Sequence, residues 1–459
     1  MRTLVATLAL LGVLAAGCPT SSSSSVRTPP APEPTATVRP VATPRPIATP
    51  RISATTPEAI EYAPKDPAFE ALPGARAIWG EYDGGTYRIE LPNAWNGDVV
   101  YYAHGYRGHA IELEVSFPAL REHLIAAGFA WAASSYTQNG YEPGVGARDT
   151  YLLRDIFERE AGPPARSYLF GESMGGHVVA LLLEQYPATY SGALTTCGAV
   201  SGHGILDYFV SWTLLASYFS ELDLWALAAD GDTFRSAVND VVLPRLGAAD
   251  ALTEDGRAFA DVVQRLTGGP RAFFWEGFQQ AYATNFAILA DAAQHPGAAN
   301  AAGENVDVAY AIGAGYGTGA AELNERISRV AVAPLYRDRA RYPEFADLTG
   351  EIRAPFITLH NTGDLFVPIS VEQAYRRTVE AAGNGDLLVQ RAIRRAGHCV
   401  ITPREVSRGF DDLVAWVETG RRPAGDDLLG DLTNVGLAFT TPLEPSDPGG
   451  LTLDDPRSQ

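Results

Sequence analysis

One short segment of this chain has the residue types and spacing of a nucleophile. It is Tyr168-Leu169-Phe170-Gly171-Glu172-Ser173-Met174-Gly175-Gly176-His177. A β-type run leads into Gly-x-Ser-x-Gly, and a helical pattern follows at once. Such a strand-to-helix turn is sharp, so the positions two before and two after the serine must lack side chains. The turn lifts the hydroxyl above the sheet edge, and the next helix aims its positive N-terminal end at the same place. Ser173 is therefore the candidate nucleophile. A hydroxyl needs a base to take its proton and an acid to orient that base. Two later segments offer them. Asp364 lies just past the apolar run Phe356–His360, and His398 lies in Arg395-Ala396-Gly397-His398-Cys399, just past the run Leu387–Ile393. The remaining histidines read differently: His360 and His177 as packing residues, and His109, His123, His203 and His295 as surface or insertion residues.

These groups must be positioned by alternating strands and helices. Ala75–Trp79 and Thr86–Leu91 are β-type runs separated by Asp83-Gly84-Gly85, a hairpin signal. Asp98–Ala103 and Phe129–Ala133 are continuous apolar runs of buried-strand character, and Tyr168–Phe170 and Ala193–Cys197 follow. Helical periodicity falls at Phe117–Ala127, Thr150–Glu160, Gly175–Tyr186 and 404–419. The alternation predicts an α/β class with a mostly parallel, eight-stranded-type sheet covered by helices on both faces. Residues 203–350 are rich in Ala, Leu and aromatics and read as helices. A structureless loop of that length would be implausible, so they are expected to form a helical cap inserted after the sixth strand. Its aromatics either line a pocket or form the cap's own core. The body is thus expected at 61–202 and 351–427, and a Pro-, Gly- and Asp-rich tail at 428–459 is expected to be surface-draped or disordered.

The ends and the composition set the setting. The chain has 459 residues and a formal net charge of -19, and Lys65 is its one lysine. Nucleic-acid binding needs clustered cations, which are absent. There is no His-x-x-x-His or Cys-x-x-Cys pair and no phosphate-binding glycine pattern after a strand, so neither metal nor cofactor is expected. Arg2 followed by the apolar stretch Leu4–Leu14 reads as a signal peptide, being too short to span a bilayer. It ends in Leu14-Ala15-Ala16-Gly17-Cys18, which resembles the lipobox of bacterial lipoproteins. That resemblance implies residues 1–18 as a lipoprotein signal, export to the cell envelope or extracellular face, and membrane attachment through an acylated Cys18. A plain secreted protein is the alternative. Residues 19–60 are rich in Ser, Thr and Pro and read as an extended stalk. Setting Cys18 aside leaves Cys197 and Cys399, either as a disulfide or as two buried thiols.

The Gly-x-Ser-x-Gly turn, followed in chain order by Asp364 and His398, resembles the α/β-hydrolases over about residues 75–425. The resemblance implies ester hydrolysis through an acyl-enzyme, with no cofactor and a small-molecule or polymeric ester as substrate. A serine peptidase or amidase using the same triad is the alternative. It also implies two backbone donors for the oxyanion. One is the Met174 N–H. The other is assigned to the Tyr106 N–H in Tyr102-Ala103-His104-Gly105-Tyr106-Arg107-Gly108, which resembles the family's His-Gly-x loop, with His104 as a brace. Leu91-Pro92, Trp95-Asn96-Gly97, His398-Cys399 and Trp416-Val417-Glu418 with Gly420 and Pro423 resemble the feruloyl esterase and tannase branch. There, a cysteine before the nucleophile bonds to the cysteine after the histidine. Here Glu172 holds that place, and Cys197 is the remaining partner for Cys399.

Overall fold

The computed structural model describes residues 60–228, 230–294, 303–332, 347–444 and Asp447. The expected signal, Cys18 and nearly all of the stalk lie outside these residues, as do His295, other parts of the 203–350 segment and the end of the tail. Among the described residues, no helix is long and apolar enough to cross a membrane.

Eight strands form one sheet: β1 (Ala75–Tyr82), β2 (Gly85–Pro92), β3 (Asp98–Ala103), β4 (Ala130–Ser134), β5 (Arg166–Glu172), β6 (Gly192–Thr196), β7 (Phe356–Gly363) and β8 (Leu388–Ala396). Their spatial order is β1-β2-β4-β3-β5-β6-β7-β8. The β1–β2 and β2–β4 pairs are antiparallel. All other pairs are parallel. The β1–β2 hairpin turns on Asp83-Gly84, where Gly84 takes a φ of 82° that a side chain would resist.

The period-two alternation of the central strands divides the core. Val99, Tyr101 and Leu169 pack on one face with α2 (Pro143–Ala161), α3 (Met174–Gln185) and α11 (Ser370–Ala381). Val100, Tyr102, Tyr168 and Phe170 pack on the other with α1 (Arg121–Ala126) and α12 (Pro403–Thr419). Strand interiors are buried on both sides, which explains their continuous apolar runs.

Two helices depart from the sequence expectation. The first is shorter than Phe117–Ala127, because Pro118 initiates a turn and α1 begins only at Arg121. The second starts at Pro143 rather than Thr150. Gly144 and Gly146 weaken the helical signal there, yet Gly146 is needed: a Cβ on it would stand 2.8 Å from Val178 and 3.0 Å from Tyr136.

Between β6 and β7 the described residues form α4 (Gly204–Ser220), α5 (Leu224–Leu227), α6 (Gly231–Ala237), α7 (Leu243–Leu246), α8 (Glu254–Leu266), α9 (Phe274–Gln294) and α10 (Ala320–Arg326), with a π-helical turn at Val238–Val242. Their aromatics mostly pack on one another. Trp212 sits 5.1 Å from Phe259, 5.9 Å from Phe286 and 6.1 Å from Phe278, ring centre to ring centre. Residues after Asp427 dock rather than dangle up to Glu444, burying Leu428, Leu432, Val435 and Phe439. Together with Asp426 they cover the edge strand β8: Ala392 N–H donates to Asp426 and Arg394 N–H to Thr440. Covering the edge removes a row of unpaired amides.

Candidate active site

The three chemically suggestive residues meet at the carboxyl edge of the sheet. Ser173 stands between β5 and α3 with φ 55° and ψ -120°, a strained backbone for a residue with a side chain. The surrounding glycines explain how the turn closes. A Cβ on Gly171 would lie 2.3 Å from the Gly175 carbonyl oxygen. On Gly175 it would lie 2.0 Å from the Ala103 carbonyl oxygen, and on Gly176 2.4 Å from Gly198 Cα. Backbone atoms therefore pack where side chains would be, and the tightness of these approaches holds Ser173 in place.

Asp364 directly follows β7, and His398 follows β8 by one residue. His398 Nδ1 lies 2.6 Å from Asp364 Oδ2, and His398 Nε2 lies 2.8 Å from Ser173 Oγ. A carboxylate can only accept, so Nδ1 carries the proton, and Nε2 is left to accept from the serine hydroxyl. Asp364 is fully buried, and its Oδ1 accepts from the amides of Phe366 and Val367, each at 2.9 Å. The carboxylate is thus fixed from both sides before it meets the imidazole. Phe366 in turn sets its ring edge-on to His398, 5.0 Å between centres.

Cys197 at the end of β6 and Cys399 beside His398 form a disulfide. It ties the histidine loop to the strand next to the nucleophile turn. Cys197, His398 and Cys399 are the one cluster of metal-ligand types among the described residues. Its sulfurs are bonded to each other and offer no thiolate pair.

Met174 opens α3, where first-turn amides have no partner within the helix. The Tyr102–Gly108 loop passes close above: a Cβ on Gly105 would stand 3.0 Å from Ser173 Cβ and 3.6 Å from its Oγ. Tyr106 is the next residue along. His104 is buried, stacks on Tyr136 at 3.9 Å and places its Nδ1 2.7 Å from the Gly105 carbonyl. Burial lowers it to about 4, so it is a neutral brace. His177 is likewise buried, lowered to about 3 by burial, with Tyr141 Oη 3.1 Å from its Nδ1. His203 is buried against Asp347, with its Nδ1 2.8 Å from the carboxylate, and His123 pairs with Asp411 on the outer face. Glu172, before the nucleophile, is half-buried and bonded by the Tyr102 hydroxyl. Burial raises its carboxyl above the usual range despite that bond.

Sequence reading missed the groups that grip the acid turn from the helical segment and from behind. The Tyr208 hydroxyl donates to the Leu365 carbonyl at 2.7 Å, and the Asn285 amide donates to the same oxygen at 3.0 Å. The buried Arg271 donates to the Thr362 carbonyl. His360 and Glu372 lie beneath Asp364. No local pattern announces the Tyr208, Asn285 and Arg271 contacts, because each joins positions 80 or more residues apart.

No family model matches the chain. Among curated proteins it is similar to the o-phthalyl amidase of Xanthobacter agilis, with 23% identity over 423 residues, 77% of this chain and 90% of that protein. Among solved structures it is similar to feruloyl esterase B from Aspergillus oryzae, with a TM-score of 0.47, 14% identity and 76% and 81% of the two chains covered. An esterase from Aspergillus oryzae gives a TM-score of 0.43 with 14% identity, covering 79% of this chain and 83% of that one. The acylaminoacyl peptidase of Pyrococcus horikoshii gives 0.38 with 11% identity, covering 77% of this chain and 43% of that one. A sheet of this strand order, with a serine on the turn after β5 hydrogen-bonded through a histidine after β8 to an aspartate after β7, is the α/β-hydrolase fold, and the chain has the make-up of a serine hydrolase.

Proposed function

We propose that this protein hydrolyses carboxylic esters through an acyl-enzyme on Ser173. The observation that carries the reading is the unbroken chain from Ser173 Oγ through His398 to Asp364, at 2.8 and 2.6 Å. Ser173 Oγ attacks the ester carbonyl carbon while His398 Nε2 takes its proton. The carbonyl oxygen becomes an oxyanion held by the Met174 and Tyr106 amides. Collapse breaks the bond to the alcohol, which leaves with the proton from His398. Water then repeats the sequence on the acyl-enzyme and frees the acid and Ser173. Asp364 orients the imidazole and stabilises its cation. No step calls for a cofactor. Asp364→Asn should lower kcat by about 10⁴ with the fold intact, through the wrong histidine tautomer.

Amide hydrolysis is the second reading. The similarity to an o-phthalyl amidase along 90% of that protein's length favours it. The same triad serves both bonds. Short p-nitrophenyl esters compared with p-nitroanilides and phthalyl amides separate the two: faster anilide or phthalyl amide turnover at matched concentration would overturn the ester assignment.

We further propose export and membrane attachment through acylated Cys18. The support is Arg2, the short apolar run Leu4–Leu14 and the Leu14–Cys18 segment. Labelled palmitate should enter the protein in a bacterial host and be lost in Cys18→Ala. Soluble, unlabelled protein from the unaltered gene would refute it.

A further inference from the structure

Beneath Asp364 lies a second polar cluster that the acyl-transfer steps do not use. His360, near the end of β7, and Glu372, in the first turn of α11, are both fully buried. His360 Nε2 stands 2.8 Å from the Val367 carbonyl oxygen, which can only accept, so Nε2 carries a proton. On the far side of the ring, Nδ1 lies 3.3 Å from Glu372 Oε1. Glu372 Oε2 accepts from Thr358 Oγ1 at 2.7 Å and from Gln390 Nε2 at 2.6 Å. These donors suit a carboxylate, and a carboxylate facing Nδ1 suits a doubly protonated ring. The same ring is 3.9 Å from Asp364 Oδ2, the oxygen that holds His398. Val367 also gives its own amide to Asp364 Oδ1, so His360 fastens the loop that fastens the acid.

We propose that His360, charged by Glu372, is a positioning and charge-balancing residue of the triad: it closes the acid turn and offsets part of the Asp364 charge felt by His398. The inference rests on the serine-hydrolase reading. Its consequence is that the enzyme stays active at lower pH than it would without the His360 charge. Burial opposes a charged His360, but the adjoining Glu372 carboxyl, with the Asp364 charge and the Val367 carbonyl, outweighs it and holds the imidazole above the usual histidine range.

The surroundings leave His360 as the variable charge. Glu372 faces it from α11 and Asp364 from the acid turn. Arg271, from the segment before α9, bonds the Thr362 carbonyl; burial lowers it to about 10, so it keeps its charge through the acid range. Tyr208 from α4 and Tyr375 from α11 are phenols raised by burial and remain neutral. Gln390 from β8 is neutral.

The test uses Glu372→Gln and His360→Asn in the full protein. Glu372→Gln removes the partner that charges the ring, and His360→Asn removes the ring itself. Both should move the acid limb of the kcat/KM profile upward by about one pH unit. That is roughly a tenfold loss below the limb and a much smaller loss on the plateau. The downfield proton resonance of the His398–Asp364 hydrogen bond should change over the same displaced pH range. His360→Gln, which retains an N–H for Val367, guards against a variant that fails to fold and should give the same displacement. An unmoved or lowered limb in folded variants, with activity reduced equally at every pH, would overturn the proposal and leave His360 a strut. Wild-type protein lacking Ser173-dependent turnover would instead overturn the hydrolase reading itself.

Discussion

Replacing Gly175 by alanine places one methyl group in the tightest contact of the nucleophile turn. The new Cβ would stand 2.0 Å from the Ala103 carbonyl oxygen, 2.7 Å from its carbon and 3.0 Å from the His104 carbonyl oxygen. All are backbone atoms at the end of β3, so no side chain can swing aside. Ordinary contact begins at 3.4 Å, and relief requires the turn and the 104–108 loop to part by more than about 1 Å. That separation carries Ser173 and the Met174 amide away from the Tyr106 amide. A 1 Å misplacement costs on the order of 10² in rate, and loss of one oxyanion donor about 10²–10³. The overpacking itself should cost about 1–3 kcal/mol of stability, which a protein with the usual margin survives. The expected outcome is folded Gly175→Ala protein with a lower Tm and kcat/KM for a short p-nitrophenyl ester reduced by about 10²–10³. Gly317→Ala is the control, since its Cβ would meet no atom within 4 Å, and it should leave both quantities unchanged. Gly175→Ala protein with kcat/KM within about threefold of wild type would refute the reasoning, because the turn would then tolerate the displacement that its packing forbids.

Other changes bear on the frame around the site. The Cys197–Cys399 bond spans a sequence separation of 202 residues, so chain entropy assigns it about 5 kcal/mol; Cys197→Ala/Cys399→Ala should lower Tm and, by loosening the loop of His398, kcat. Unchanged Tm and kcat would deny it both roles. Glu405 is gripped by Arg395 at 2.6 and 2.8 Å and by the Thr402 and Thr441 amides. Burial pushes its carboxyl up, but these bonds outweigh it and hold the group below the usual range. Its contribution is therefore complete above the ordinary glutamate range and lost as pH falls through the lower folded value. Glu405→Gln should destabilise by about 3 kcal/mol at pH 7, with the gap to wild type narrowing toward pH 3 in denaturant titrations. A gap that stays constant would show that the ionised form is not preferred.

The parts of the fold that could be read from the chain are those written locally. Glycines on both sides of Ser173 report a turn that only missing side chains allow. The run Asp98–Ala103 matches β3 residue for residue, because a central parallel strand is buried on both faces. Asp364 and His398 could be singled out because each follows a β-type run late in the chain. What escaped notice depends on distant partners. The start of α2 is held by Gly146 fitting under Val178 and Tyr136, a reason invisible in helix propensity. Glu372 carries no motif of its own, yet it is fully buried beside His360. Arg271, Tyr208 and Asn285 acquire their roles only when the helical segment closes on the acid turn. The tail appears polar in composition, but four well-spaced apolar residues are enough to pin it over the edge of β8.

The most direct test of Ser173 as nucleophile is covalent trapping followed by peptide mass analysis. Protein treated with a fluorophosphonate, or quenched in acid during turnover of a p-nitrophenyl ester, should carry one adduct on the peptide containing Ser173. Ser173→Ala protein should carry none and should lose turnover by about 10⁴–10⁶. An adduct elsewhere, or ester turnover retained in folded Ser173→Ala protein, would contradict the assignment of this residue and with it the hydrolytic mechanism.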